Sequence, residues 1–244
     1  MKIAIIPDVQ AKPGVSVNFL DRVGKYLALK RPDRIVCLGD FADMASLSSY
    51  DKGKKSFEGR RYLKDINAAK LAMDVLMDPI RKAPGYLPDL HLTLGNHENR
   101  INRAVELQPE YEDVISIDDL EYEAHGWLVH DFLKPVVLNG VAFCHYFVSG
   151  VMGRPVTTAS ALLTKKHMSC VAGHQQGKQI AYSSRADGST ITGLIVGSCY
   201  EHNENFLGPQ GNRHWRGLVM LHEVKNGSFD EMPVSLDYLK RKFK

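Results

Sequence analysis

A chain of 244 residues is long enough for one large domain with a sizeable core, or for two small ones. With 44% hydrophobic and 24% charged residues it has the make-up of an ordinary globular protein, which excludes a disordered or fibrous chain. A formal charge of +3 neither demands a nucleic-acid partner nor repels a phosphate-bearing one.

Ile3 to Ile6 is a short, continuously apolar run, the pattern of a strand covered on both faces. Phe19, Leu20, Val23, Tyr26 and Leu27 then fall on one helical face, and Arg34 to Leu38 is a second buried strand. Residues 44–64 are rich in Ser, Lys, Gly and Arg and read as a polar loop or insert. Ile66, Ala69, Met73, Leu76, Met77 and Ile80 restore helical spacing until Pro84-Gly85, and Leu90 to Leu94 is a third strand. This strand–helix alternation predicts a parallel sheet with covering helices.

After Gly126 the texture changes to short strands with turn signals. They are Trp127–Val129, Val136–Leu138, Val141–His145, Cys170–Gly173, Gln179–Ser183, Ile191–Val196 and Gly217–Val224, with one helix near Ala159–Lys166. There is no internal repeat, low-complexity tract or linker, so the expectation is a single α/β domain over residues 1–244 with two packed sheets. Cys37, Cys144, Cys170 and Cys199 each sit in an apolar run, none in a Cys-x-x-Cys pair, which predicts buried, inert thiols. Free thiols, no secretion signal and no run of membrane-spanning length lead to the expectation of a cytoplasmic protein.

Polar clusters sit where the first three strands end: Asp8-Val9-Gln10, Gly39-Asp40-Phe41-Ala42-Asp43 and Gly95-Asn96-His97-Glu98. In such a sheet the strand carboxyl ends face one edge, where ligands bind. Later strand ends add His145 and the run Gly173-His174-Gln175-Gln176. Carboxylates gathered in one buried place repel each other, and a divalent cation resolves that repulsion. A mixed set of Asp, Asn and His suits a hydrolytic site with Mn, Fe or Zn better than a structural zinc site, which uses mostly Cys. Each residue alone has a plainer reading, a turn or cap for Asp8, Asp40 and Asn96 and a satisfied strand-end histidine for His145; it is the ordered set that favours a site.

The set, in that order, resembles the signature of calcineurin-like metallophosphoesterases: Asp-x-His, Gly-Asp-x-x-Asp, Gly-Asn-His-Glu/Asp, His, Gly-His-x-His. The motifs span about three quarters of the chain and are specific for the superfamily, not for a substrate. The stretch from Leu207 to Gly217 is similar to uncharacterised members encoded by bacteriophages. The resemblance implies a four-layer α-β-β-α sandwich, with two packed mixed sheets and flanking helices. It implies one or two divalent ions, with Mn expected ahead of Fe, Zn or Mg, and a bridging Asp40. Asn96, His145 and His174 would complete one metal position; Asp8, Gln10 and Gln176 would face the other.

Both Gln10 and Gln176 stand where the family pattern has histidine, and both fall on the same metal. Two readings stand: a matched change to oxygen ligands that favours Mn or Mg, or glutamines that bond water or each other and leave one metal. The resemblance also implies that His97, paired with Asp43, faces the scissile phosphate and donates a proton to the leaving oxygen, while Arg100 clamps a phosphate oxygen. The reaction would be in-line attack on phosphorus by a metal-bound water.

The insert carries Lys52, Lys54, Lys55, Arg60 and Arg61 with Tyr50, Phe57 and Tyr62 interleaved, and Arg213, Trp215 and Arg216 form a second such cluster. Together they point to a nucleic-acid or nucleotide substrate, without deciding between monoester and diester. Lys240, Arg241, Lys242 and Lys244 read as a solvated basic tail. The competing readings are a non-catalytic binding scaffold on the same fold, or a phosphoprotein phosphatase. The latter is disfavoured because Met44-Ala45, not Arg-Gly, follows Asp43.

Overall fold

The computed structural model of the chain describes residues 1–204 and 207–244. Strands β1 (Ile3–Ile6), β2 (Arg34–Cys37), β3 (Asp89–Thr93) and β4 (Leu128–His130) run parallel. Strands β10 (Gly217–Lys225) and β11 (Ser228–Ser235) extend that sheet antiparallel beyond β1, giving the order β11-β10-β1-β2-β3-β4. The second sheet has the order β5-β6-β7-β9-β8, from β5 (Val136–Leu138), β6 (Val141–Cys144), β7 (Cys170–Ala172), β8 (Gln179–Ser184) and β9 (Thr190–Ile195). Both sheets are mixed: β6, β7 and β9 are parallel, while β5 and β8 pair antiparallel.

Continuous apolar runs become strands here because both faces of each strand are covered. In β1, Ala4 and Ile6 pack toward the helices, while Ile3 and Ile5 pack against the second sheet. Ile35 and Cys37 of β2 repeat the helix-facing set, and Val36 and Leu38 the sheet-facing one. Across the sheet–sheet interface Ile3, Ile5 and Val219 meet Val141, Phe143, Val171 and Leu194. On the far side of the second sheet, Ala142, Cys144, Cys170 and Ile195 pack on Leu162 of α4 (Ala159–Lys166). The order of layers is helices, sheet, sheet, helix, as the four-layer expectation has it.

On the outer face of the first sheet lie α1 (Phe19–Lys30) and α2 (Tyr62–Arg81). The periodic residues Leu20, Val23, Leu27, Met73 and Leu76 are fully buried there. Helix α3 (Asn99–Leu107) follows the third strand-end loop and buries only Ile101. Helix α5 (Gly208–Gly211) is a single turn, and α6 (Leu236–Lys242) closes the chain.

The C-terminal segment corrects the sequence reading. Residues 228–235 form edge strand β11, and the basic tail is not simply solvated: α6 buries Leu236 and Leu239 and packs against α1, so its cations are the outer face of a docked helix. The strand expected at Trp127–Val129 spans Leu128–His130 and pairs with β3 in the first sheet. The polar insert holds short 3₁₀ turns at Ala45–Leu47, Ser49–Asp51 and Lys55–Phe57 before α2 begins at Tyr62. Among the described residues no helix is long and apolar enough to cross a membrane.

Candidate metal centre

The ends of β1, β2, β3, β6 and β7 meet at one edge of the two sheets. Asp8, Asp40 and His145 are buried, and Asn96, His97 and His174 are half-buried around them. Ligand atoms of Asp40, His145 and His174 lie within 4.8 Å of one another. His145 Nε2 is 3.0 Å from Asn96 Oδ1 and 3.3 Å from Asp40 Oδ2. The four residues expected to share one metal are therefore brought together.

The backbone that delivers them is unusual. Gln10, Asp40 and His174 take the left-handed conformation with φ of 49, 48 and 65°, which side-chain-bearing residues rarely adopt. Gly95 packs directly on the Asp40 loop: a Cβ there would lie 2.1 Å from Asp40 Oδ1 and 2.2 Å from Asp40 N. Only glycine lets the second and third loops close on each other.

Glu98 holds those loops from below. Its fully buried carboxylate accepts the backbone N–H groups of Asp40 (2.9 Å), Ala42 (2.9 Å) and Gly95 (3.0 Å), and the Tyr122 hydroxyl at 3.3 Å. The sequence quotes Glu98 inside its motif but gives it no role; its position three residues after Gly95 is the only signal.

His145 and His174 are set up to hold a cation. His145 Nδ1 donates to the Leu38 carbonyl at 2.6 Å, which leaves Nε2 facing only oxygens, those of Asn96 and Asp40. Something positive must sit between them, a proton or a metal. Without metal it is a proton: burial pushes the His145 ring down, but Asp40 and Asp8 outweigh it and raise it to about 9. Burial would raise Asp40, yet His145 and His97 together hold it well below the carboxylate range. His174 is pushed down to about 4, mainly by burial and by His145, so it is neutral and ready to ligate. Two imidazoles, a carboxylate and an amide oxygen fit a divalent ion of the Mn, Fe or Zn type.

His97 stands beside this group. Its Nδ1 is 2.8 Å from Asp43 Oδ1, and its Nε2 is 3.7 Å from Asp40 Oδ2. Burial lowers the His97 ring, but Asp40 and the Asp43 hydrogen bond outweigh it and favour the protonated form. Arg100 opposes them: its Nη1 donates to the Asp43 carbonyl at 2.7 Å, and its Nη2 lies 3.1 Å from His97 Nε2. Arg100 is thus tied to the His97–Asp43 pair.

The other side of the site differs. Asp8 Oδ1 accepts the His174 backbone N–H at 3.1 Å, and Asp8 Oδ2 accepts Gln176 Nε2 at 2.9 Å. Gln176 Oε1 in turn accepts from the Tyr200 hydroxyl at 2.7 Å. Gln10 is buried, and its Oε1 has no donor among the described residues. Burial raises Asp8 to about 7, with His145 opposing and Asp40 adding to the rise. Tyr200 was not singled out in the sequence; its only signal is its place just after an apolar strand.

A third group closes the rim. Lys12 Nζ binds Glu204 Oε1 at 2.5 Å and lies 3.8 Å from Asp43 Oδ2, and His202 Nε2 is 2.6 Å from the same Glu204 oxygen. Neither Lys12 nor Glu204 belongs to a motif that the sequence offered.

Neither a protein-family model nor a curated protein sequence matches the chain. Among solved structures it is similar to the phosphoesterase Yfce from E. coli, at 13% identity over 97% of this chain and 100% of that one, with a TM-score of 0.43. It is also similar to a dimetal phosphatase from Danio rerio, at 11% identity over 97% of this chain and 99% of that one, with a TM-score of 0.44. A third is a conserved uncharacterized protein from Streptococcus pneumoniae described as a predicted phosphoesterase, at 11% identity over 96% and 99% of the two chains, with a TM-score of 0.35.

Proposed function

We propose that this protein is a metal-dependent hydrolase of phosphate esters. The observation that carries the reading is the meeting of Asp40, Asn96, His145 and His174 within ligating reach of one another, with an Asp-held histidine, His97, beside them. A structural metal site has no need of such a histidine.

Asp40 and Asn96 would hold the cation through oxygen, and His145 through Nε2, since its Nδ1 is committed to Leu38. His174 supplies a second neutral imidazole. A divalent cation bound there supplies Lewis acidity, lowering the pKa of water and screening the charge on phosphoryl oxygens. His97, once protonated at Nε2 in place of its 3.1 Å contact with the donor-only Arg100 Nη2, would give that proton to the leaving oxygen, while Asp43 fixes the ring through Nδ1. Asp40 and Asp43 favour that proton, while burial and Arg100 oppose it. Arg100 also adds positive charge beside the place where an anionic ester would sit.

The substrate class is a phosphoester, with nucleic acid or nucleotide as the narrower expectation from the basic and aromatic clusters. Two of the cations behind that narrower reading are engaged within the protein. Arg60 binds Asp51, Ala45 and Ser56, and Arg216 binds the Glu201 and Asn212 carbonyls and the Asn203 side chain.

The test uses protein stripped with EDTA and refilled with Mn. Its substrates are 4-nitrophenyl phosphate, bis(4-nitrophenyl) phosphate and a short single-stranded oligonucleotide. Hydrolysis of at least one with Mn, and none in EDTA, is expected. No turnover of any of them at saturating Mn, or equal turnover in EDTA, overturns the reading.

A further inference from the structure

We infer that Tyr200 locks the Gln176 amide onto Asp8, so that this protein's centre holds a single cation, on Asp40, Asn96, His145 and His174. The inference deepens the metal-dependent reading above and rests on it.

Asp8 is completely buried, and each of its oxygens already has a donor, from His174 N and from Gln176 Nε2. The Gln176 atom facing Asp8 is the amide nitrogen, which donates to Oδ2 at 2.9 Å. The Gln176 oxygen then faces away, onto the Tyr200 hydroxyl. To ligate a cation beside Asp8 the amide must turn over, which breaks both of these bonds in a buried setting.

Tyr200 is held where it makes that turn unfavourable. Its side chain is fully buried, its ring stacks on His202 at 4.5 Å, and the Arg216 guanidinium lies 5.0 Å above it. His214 meets it edge-on at 5.8 Å. Arg216 is itself fixed by the Glu201 and Asn212 carbonyls.

Of the side chains peculiar to the second metal position, that leaves Asp8 itself, with two hydrogen bonds already accepted, and Gln10, whose buried Oε1 has no donor among the described residues. Asp8, one neutral amide oxygen and a shared Asp40 make a weaker set than the two imidazoles, carboxylate and amide of the other position, and an ion that takes about six ligands would draw the rest from water. The two glutamines are therefore not a matched pair of oxygen ligands. Gln176 gives Asp8 by hydrogen bonding part of what a cation would give it, while the strongest demand for positive charge lies on the His145 side, where Nε2 faces the oxygens of Asn96 and Asp40.

The experiment counts metal rather than turnover. EDTA-stripped protein is titrated with Mn and separately with Zn by calorimetry, and metal is measured after gel filtration. Wild type is expected to bind one equivalent per chain. With two equivalents of Mn its electron paramagnetic resonance spectrum should show no exchange-coupled pair. Asp8→Asn, which is nearly isosteric, should still bind one equivalent, with a Kd within about threefold of wild type. Tyr200→Phe frees the amide and should admit a second, weaker equivalent; a variant that stays at one equivalent overturns the role given to Tyr200. Two equivalents in wild type, a coupled Mn pair, or loss of an equivalent in Asp8→Asn overturns the single-cation inference and leaves the hydrolase reading standing. No binding at all removes both. One equivalent without hydrolysis of any ester removes only the hydrolase reading.

Discussion

The Glu98 carboxylate and the Asp40 backbone N–H are joined by a 2.9 Å hydrogen bond, although both residues carry a buried acidic side chain. The arrangement works because Glu98 faces peptide donors while Asp40 faces imidazoles. Glu98 accepts three backbone N–H groups, while the Asp40 side chain accepts the His97 backbone N–H at 2.9 Å and lies 3.3 Å from His145 Nε2 and 3.7 Å from His97 Nε2. One carboxylate shapes the loops and the other is left for a cation.

Glu98→Gln tests that division. An amide offers one oxygen where the carboxylate offered two, and it turns an N–H₂ group toward backbone donors. Each buried donor left unpaired costs about 1–3 kcal/mol. The variant should unfold at a clearly lower urea concentration and bind Mn more weakly. An unchanged midpoint and affinity would show that the loops do not depend on Glu98.

His97→Ala separates chemistry from binding. His97 offers no ligand atom to the Asp40, His145 and His174 group, so metal content should stay at the wild-type value. Turnover should fall by about 10²–10⁴, the usual contribution of a general acid. Equal turnover would remove His97 from the reaction, and lost metal would recast it as a ligand.

In the metal-free protein His145 rises from 6.5 to about 9 on folding. Its contribution to stability is full below the unfolded value and disappears as pH climbs through the folded one. His97 shifts in the same direction. Asp8, raised to about 7, loses the rest of its contribution at the lower end of the window and so adds to the fall, and His174, at about 4, is neutral throughout. The melting temperature in EDTA should therefore fall between pH 7 and pH 9. A flat or rising profile over that window contradicts the placement of His145 against Asp40.

The four cysteines are all buried, and burial raises Cys144 to about 11 and Cys170 to about 12, with Cys37 and Cys199 raised as well. The native protein should give almost no fast reaction with a thiol-specific disulfide reagent, and four equivalents in denaturant. A rapidly reacting native thiol would mean that one of these strands opens.

The parts of the fold legible in the sequence are those where packing leaves a periodic trace. Strands β1 and β2 are covered on both faces and read as unbroken apolar runs, and α1 and α2 show their buried stripes. Helix α6 left little trace because it buries only Leu236 and Leu239 among several cations. Strand β11 is interrupted by Asp230, Glu231 and Pro233, which suit an edge but hide the strand. Asp40, Asn96, His97, His145 and His174 could be placed because each follows a strand. Tyr200, Lys12 and Glu204 could not, because their partners lie 24 to 192 residues away in the chain and no spacing encodes such contacts. Whether Gln176 would turn its oxygen or its nitrogen to the centre was likewise unreadable until Tyr200 was placed against it.

The most direct test is anomalous diffraction from a crystal of the protein grown with Mn. The account predicts a peak touching Asp40, Asn96, His145 and His174, at roughly 2.0–2.3 Å from their ligating atoms. A peak elsewhere, or none at these side chains at saturating Mn, would contradict it.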